Sequence, residues 1–169
     1  MPLIIPHKGV TPVIGSNVFI AENAVIIGDV TIGDESSIWY NCVLRGDMND
    51  IKIGRRTNIQ DGTVIHVSSK GQGTYIGDDV TVGHMALLHA CTVEHRSFIG
   101  MMACVMDDAI IETGSMVAAG ALVTPGKSVP SGQLWSGSPA RFMRHLTEDE
   151  VAGISRTALH YVETARNYL

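Results

Sequence analysis

Residues 53–66 read Ile53-Gly-Arg-Arg-Thr-Asn-Ile-Gln-Asp-Gly-Thr-Val-Ile-His66, and residues 76–93 read Ile76-Gly-Asp-Asp-Val-Thr-Val-Gly-His84-Met-Ala-Leu-Leu-His89-Ala-Cys-Thr-Val93. Two patterns are superimposed there. Aliphatic side chains recur every six positions, at Ile53, Ile59 and Ile65 and again at Ile76, Val82 and Leu88. Three of the seven histidines, His66, His84 and His89, stand among them. Six is neither the 3.6-residue period of a helix nor the alternation of a simple strand. It is the period of a parallel β-helix, in which short strands and corners alternate and coils stack on one another.

The same period runs outward in both directions. Upstream it passes through Ile14, Ile20, Ile26, Ile32, Ile38 and Leu44; downstream it runs from Val93 through Ile99, Val105, Ile111, Val117 and Val123 to Val129. A small or β-branched residue often stands four places on, as at Ala24, Ser36, Cys42, Thr57, Thr63, Ala86, Thr92 and Ser97. The expected fold is an all-β solenoid, one domain with the β-helix over residues 10–140. At three hexads per coil it has about seven coils and, at ~4.8 Å per coil, a length of ~32 Å.

Three breaks interrupt the register. Leu44 to Ile53 carries three extra residues around Asp47-Met48-Asn49, Ile65 to Ile76 contains the polar loop 67–74, and Leu88 to Val93 is one residue short. Insertions leave a solenoid at corners, and such loops line functional faces. All three breaks flank the histidines.

Past the solenoid, Thr147-Glu-Asp-Glu150 has the form of a capping box with acids in the first turn. Val151, Ile154, Ala158, Tyr161, Val162 and Ala165 follow at helical spacing. A helix over 147–167 lying lengthwise along one face of the prism is predicted, with Tyr161 in its packing stripe.

Composition excludes several partner classes. Net charge is −5, aromatics are 5%, and no run of Lys or Arg exceeds two residues, so neither nucleic acid nor an anionic membrane is an expected partner. No apolar run reaches the ~18 residues of a membrane span. Three cysteines, Cys42, Cys91 and Cys104, have no CxxC spacing and are odd in number. With no basic segment at the start, the expectation is a cytoplasmic protein with reduced, interior cysteines.

Imidazole is the commonest neutral metal ligand, and three histidines plus water is an arrangement of catalytic zinc. His66 and His89 each follow an inward aliphatic by one place, and His84 follows Val82 by two, so all three side chains point out of the prism. A convex surface does not converge three ligands on one ion, and a second chain has to supply what one chain lacks. The remaining histidines, His7, His95, His145 and His160, have no partners at ligand spacing and are expected to be surface residues.

The combination Arg45-Gly-Asp47, Asn58-Ile-Gln60-Asp61, Val64-Ile-His66, Gly83-His84 and Leu88-His89-Ala-Cys91 resembles the γ-class carbonic anhydrase family of hexapeptide-repeat proteins, as does Trp135-Ser-Gly-Ser-Pro-Ala-Arg141. The likeness covers nearly the whole chain. It implies a left-handed β-helix, a homotrimer, and zinc held by His66 and His89 of one subunit with His84 of the next. It also implies that Gln60 orients the reacting water, that Arg45 and Asp47 brace the interface beside the metal, and that Asp61 matches a carboxylate near Arg45. The substrate would be carbon dioxide or bicarbonate. Three imidazoles also accept iron or cobalt. Two departures bear on turnover. Met48 stands where active relatives carry a glutamate, and the loop 67–74 has none of the carboxylates that export protons in the family. The same solenoid also serves CoA-dependent acyltransferases and thioesterases, which rely on one histidine and no metal triad. A metal-stabilised trimer with a purely assembly role is the non-enzymatic alternative.

Overall fold

The computed structural model describes residues 1–169 as a parallel β-helix of about seven coils with one C-terminal helix. The prism has three faces. On the first, Leu3–Ile5, the start of Val25–Ile32, the start of Val43–Ile53, Val64–His66, Leu87–His89, Cys104–Val105 and Leu122–Val123 pair in parallel. On the second, Val13–Ile14 leads through the ends of the two long strands to Thr74–Ile76, Thr92–Val93, Ile110–Ile111 and Ser128–Val129. The third runs from Phe19–Ile20 through Ser37–Ile38, Asn58–Ile59, Thr81–Val82, Phe98–Ile99 and Met116–Val117 to Gln133–Ser136. Arg141–His145 then turns back antiparallel on that last strand. The coils form a solenoid consistent with the left-handed β-helix that the resemblance implied. The ladder begins at Leu3, ahead of residue 10.

The hexad works as it should. Ile26, Leu44, Ile65, Leu88 and Val105 stack under the first face and are fully buried, as are Ile38, Ile59, Val82, Ile99 and Val117 under the third. The small residues at the corners are buried too: Ala24, Ser36, Cys42, Thr57, Thr63, Ala86, Ser97 and Ala103. Thr92 does not belong with them. It is half-buried in its strand, and Cys91 takes the buried corner, because the coil is one residue short there. Each corner needs a left-handed residue, supplied at six-residue steps by Arg96, Met102, Asp108, Gly114, Gly120 and Gly126. A non-glycine residue pays for that conformation, and the surrounding ladder holds it there.

The break at Asp47-Met48-Asn49 is not an excursion. Val43–Ile53 is one continuous strand that bends from the first face to the second, as Val25–Ile32 does beneath it, with a register shift between Gly28 and Val30. Asn49 Nδ2 donates to Gly71 O at 3.0 Å, and the Tyr75 hydroxyl donates to Asp50 Oδ1 at 2.9 Å, so the extra residues are bound into the stack. The bend requires glycine: a Cβ on Gly28 would come 2.2 Å from Gly46 O, and one on Gly46 would come 2.4 Å from Asp29 O.

The helix α1, Glu148–Arg166, covers the third face. Thr147 caps it in a reciprocal capping box with Glu150. Ile154, Ala158, Val162 and Ala165 face inward and are buried, whereas Val151 is partly exposed. Tyr161 and Tyr168 pack edge-on against Trp39, which also meets Phe19. The helix runs against the stacking direction, from Val151 beside Gly114 to Arg166, which pairs with Glu35. Those fifteen residues rise about 22 Å, close to the ~19 Å of four coil spacings. The helix lies lengthwise along the face, as predicted, but spans about four coil spacings rather than the whole prism. No helix is long and apolar enough to cross a membrane.

Two half-sites at the edges of one face

Parallel register makes His66 and His89 direct neighbours on adjacent coils, with ring centroids 5.3 Å apart. Carboxylates flank the pair along the same edge. His66 Nε2 lies 2.9 Å from Asp47 Oδ1 one coil earlier, and His89 Nδ1 lies 2.7 Å from Asp107 Oδ1 one coil later. The other oxygen of Asp47 receives a hydrogen bond from Arg45. Partial burial pushes the Asp47 pKa up, but the hydrogen bonds to His66 and Arg45 and the guanidinium charge outweigh it and hold the group at about 2. Asp47 is therefore a carboxylate at any pH near neutrality.

The remaining candidates collect at the opposite edge of the same face. His84 occupies the corner ahead of Leu87–His89, and its Nδ1 lies 2.9 Å from Asp61 Oδ2 in the corner one coil earlier. Gln60, next to Asp61, is buried, and its Nε2 donates to Asn58 Oδ1 at 3.0 Å. Asn58 in turn donates to Thr81 Oγ1 at 2.9 Å. Burial, and then the charge of Asp61, raise the Tyr161 hydroxyl pKa, which keeps that group protonated. Helix packing is the role of Tyr161 within the chain, as its spacing implied.

The structure thus sorts the nominated residues into two groups. Arg45, Asp47, His66 and His89 converge at one edge; Gln60, Asp61 and His84 converge at the other. Five residues of extended chain separate His84 from His89, at most about 16 Å. Ligands of a tetrahedral zinc stand about 2 Å from the ion, and within one chain the histidines sit at separate edges, each against its own carboxylate. Accordingly, no three His, Cys, Asp or Glu side chains within the chain are placed to hold a metal. Asp61 meets His84 rather than Arg45 for the same reason: Arg45 is at the far edge.

Between the edges lies an apolar column. Leu3, Val25, Val43, Val64, Leu87, Cys104 and Leu122 are successive outward residues of the first face, with Leu3, Val64 and Leu87 well exposed. Met85, Met101 and Met102 are exposed at the corner that holds His84. The outward residues of the second face are more polar, among them Thr31, Lys52, Tyr75 and Thr92. Cys104 is therefore not an interior residue: it faces outward in this column, whereas Cys42 and Cys91 are buried and their thiols are pushed up to about 12 by burial.

Asp107 escaped the sequence reading, although a signal existed. It lies 18 residues after His89, one full coil, so stacking was legible from the period once the corner register was known. His7 also stands closer to the site than expected, half-buried beside a small cavity that Asp47 lines. His95, His145 and His160 lie away from both half-sites: His95 Nδ1 accepts from the Asp78 amide, His145 stacks on Phe142, and His160 meets Tyr161 on the helix.

The bacterial transferase hexapeptide repeat (six repeats) matches residues 11–46. The chain is 44% identical over 166 residues to the carbonic anhydrase of Geobacillus kaustophilus, covering 98% of this chain and 91% of that protein. It is 50% identical over 161 residues to mitochondrial γ carbonic anhydrase 2 of Arabidopsis thaliana, covering 92% of this chain but spanning only 58% of that longer protein. Among solved structures, a hexapeptide transferase family protein from Anaplasma phagocytophilum superposes with a TM-score of 0.95 at 50% identity, over 99% of this chain and 98% of the other. An N-acyltransferase variant from Bacillus cereus, solved with coenzyme A, shares the fold alone, at 18% identity and a TM-score of 0.73. With both half-sites carrying the residues of the motif, the chain belongs to the γ carbonic anhydrase family of hexapeptide-repeat proteins.

Proposed function

We propose that this protein is a metal-dependent carbonic anhydrase that interconverts carbon dioxide and bicarbonate at the three interfaces of a homotrimer. One observation carries the reading: the two half-sites occupy opposite edges of a single exposed apolar face. A neighbouring copy that buries its own apolar surface there brings its His84 to the His66–His89 pair. The contact joins two different patches, so it closes into a ring or grows into a filament, and threefold closure satisfies a triangular prism.

The donor set fits zinc. Each of His66, His84 and His89 rests one ring nitrogen near a carboxylate and keeps the other for a ligand. A histidine so braced is oriented and made more basic, as carboxylate–histidine pairs around zinc are. Bound by these three, the metal supplies a Lewis acid that lets water react as hydroxide near neutral pH. The chain's residues do the rest. Asp47, Asp61 and Asp107 hold the imidazoles in orientation. Gln60, with Nε2 committed to Asn58, offers Oε1 to accept a hydrogen bond from the reacting water and aim its lone pair at carbon dioxide. Arg45 stands beside the His66–His89 pair as a cation for bicarbonate. Val64, Leu87 and Met85 give the small apolar substrate a dry wall. Two buried free thiols suit a reducing compartment, and we place the protein in the cytoplasm.

Metal analysis of gently and anaerobically purified protein, followed by stopped-flow carbon dioxide hydration on the same sample, tests the proposal. About one metal per chain with turnover supports it, and the metal found decides among zinc, iron and cobalt. No metal under any loading condition sinks it and returns the CoA-dependent acyltransferase or thioesterase reading. Full occupancy without turnover leaves a metal-stabilised assembly subunit.

A further inference from the structure

The edge that carries His66 and His89 does not end at Asp47. Leu3–Ile5 pairs with Val25–Ile27 at the start of the ladder, and His7 follows two residues on, beside Gly28. His7 and Val10 exchange two backbone hydrogen bonds of 2.9 Å across a tight turn with left-handed Lys8 and Gly9. The turn sets the His7 Cβ 3.2 Å from where a Gly28 side chain would begin. Beside the bend lies an open cavity of about 180 Å³, lined by His7, Lys8, Asp29, Asp47, Met48 and Asn49. At roughly 30 Å³ per molecule this holds about six waters. Along this edge the titratable groups then stack in the order His7, Asp29, Asp47, His66, His89, Asp107, one per coil. Two coil spacings of ~4.8 Å put His7 about 10 Å from Asp47, a gap for water rather than direct contact.

Hydration of carbon dioxide consumes water and yields bicarbonate and one proton, which must leave before the next cycle. Met48 and the loop 67–74 hold no acid or base for this. Both oxygens of Asp47 are already engaged, by His66 and by Arg45. Imidazole is the side chain whose ordinary titration falls between pH 5 and 8.

We propose that His7 is the proton-relay residue of this protein, linked to the reaction site by water in the cavity between it and Asp47. The inference rests on the carbonic anhydrase reading above. The proton leaves the reacting water through the cavity water and is taken up by a ring nitrogen of His7. The imidazolium then gives it to buffer in bulk solvent, and no electrons change hands. The charged groups that face His7 are Lys8 on its own turn, Asp29 on Val25–Ile32 and Asp47 on Val43–Ile53.

Metal-loaded wild type and His7→Ala are compared by stopped flow at low concentrations of a poorly accepting buffer, with metal content and Tm as checks on folding. The variant should lose about tenfold in kcat while kcat/KM stays within about twofold, and added imidazole should restore kcat. Histidine-labelled protein gives a second readout by NMR. The ring signal that His7→Ala removes should exchange rapidly with water and should shift in Asp29→Asn, which changes the lining of the same cavity. Unchanged kcat in His7→Ala, parallel loss of kcat and kcat/KM, or a His7 ring shielded from water overturns the relay and leaves the carbonic anhydrase reading standing. A metal-loaded wild type that does not hydrate carbon dioxide overturns both.

Discussion

Mixing two inactive variants measures whether the half-sites of different chains meet. His84→Ala destroys one half-site and leaves His66 and His89; His89→Ala destroys the other and leaves His84. Within a protomer no three His, Cys, Asp or Glu side chains are placed to hold a metal, so neither variant alone is expected to retain the site. In a ring of three assembled at random from equal amounts, each interface has about one chance in four of joining an intact His66–His89 pair to an intact His84. Co-refolded protein should therefore recover about a quarter of the wild-type metal and carbon dioxide hydration, read by metal analysis and stopped flow after dialysis. The control is the pair His66→Ala and His89→Ala, which lie on the same edge with rings 5.3 Å apart. No arrangement of those two variants rebuilds an interface, so mixing them should recover nothing. If the first mixture recovers no metal, or the control recovers as much, the division into half-sites is wrong.

Adjacent residues of one strand should separate folding from assembly. Ile65→Ala empties a fully buried core position and should cost ~2–5 kcal/mol in denaturant titrations at fixed concentration. Val64→Ala, on the exposed column, should leave the fold and shift the trimer towards smaller species on dilution in light scattering; an unmoved trimer removes this face from the interface. Asp107→Asn should keep the fold and weaken metal affinity about 10- to 100-fold in chelator competition, while unchanged affinity would detach Asp107 from the site. Glu150 is lowered from 4.5 to about 2, first by its hydrogen bond with Arg144 and then by the Thr147 amide. A carboxylate whose folded pKa is depressed stabilises the fold above its unfolded pKa and loses that effect as pH falls through the folded one. The Tm gap between wild type and Glu150→Gln should therefore be full above about pH 4.5 and close towards pH 2; a gap that persists at pH 2 assigns the effect to the cap alone.

The six-residue period determined the solenoid by itself, because each aliphatic column from Ile26 to Val123 repeats a local geometric requirement. Likewise the helix was legible from its own residues, since Thr147 and Glu150 cap it locally and its apolar stripe lies within one element. The three histidines were legible as a type and as outward-facing, since position relative to an inward neighbour sets direction in a strand. Their partners were not. Asp47 with His66, Asp61 with His84, and His89 with Asp107 are contacts between coils, separated by 18 to 23 residues whose exact number depends on register breaks. A missing residue before Val93 moved the buried corner from Thr92 to Cys91, and three extra residues near Asp47 became a bent strand instead of a loop. Which edge each histidine occupies, and that His7 shares a cavity with Asp47, depend on how those breaks stack in space. Sequence spacing carries direction within one coil; only the stacked structure decides which coils put their side chains together.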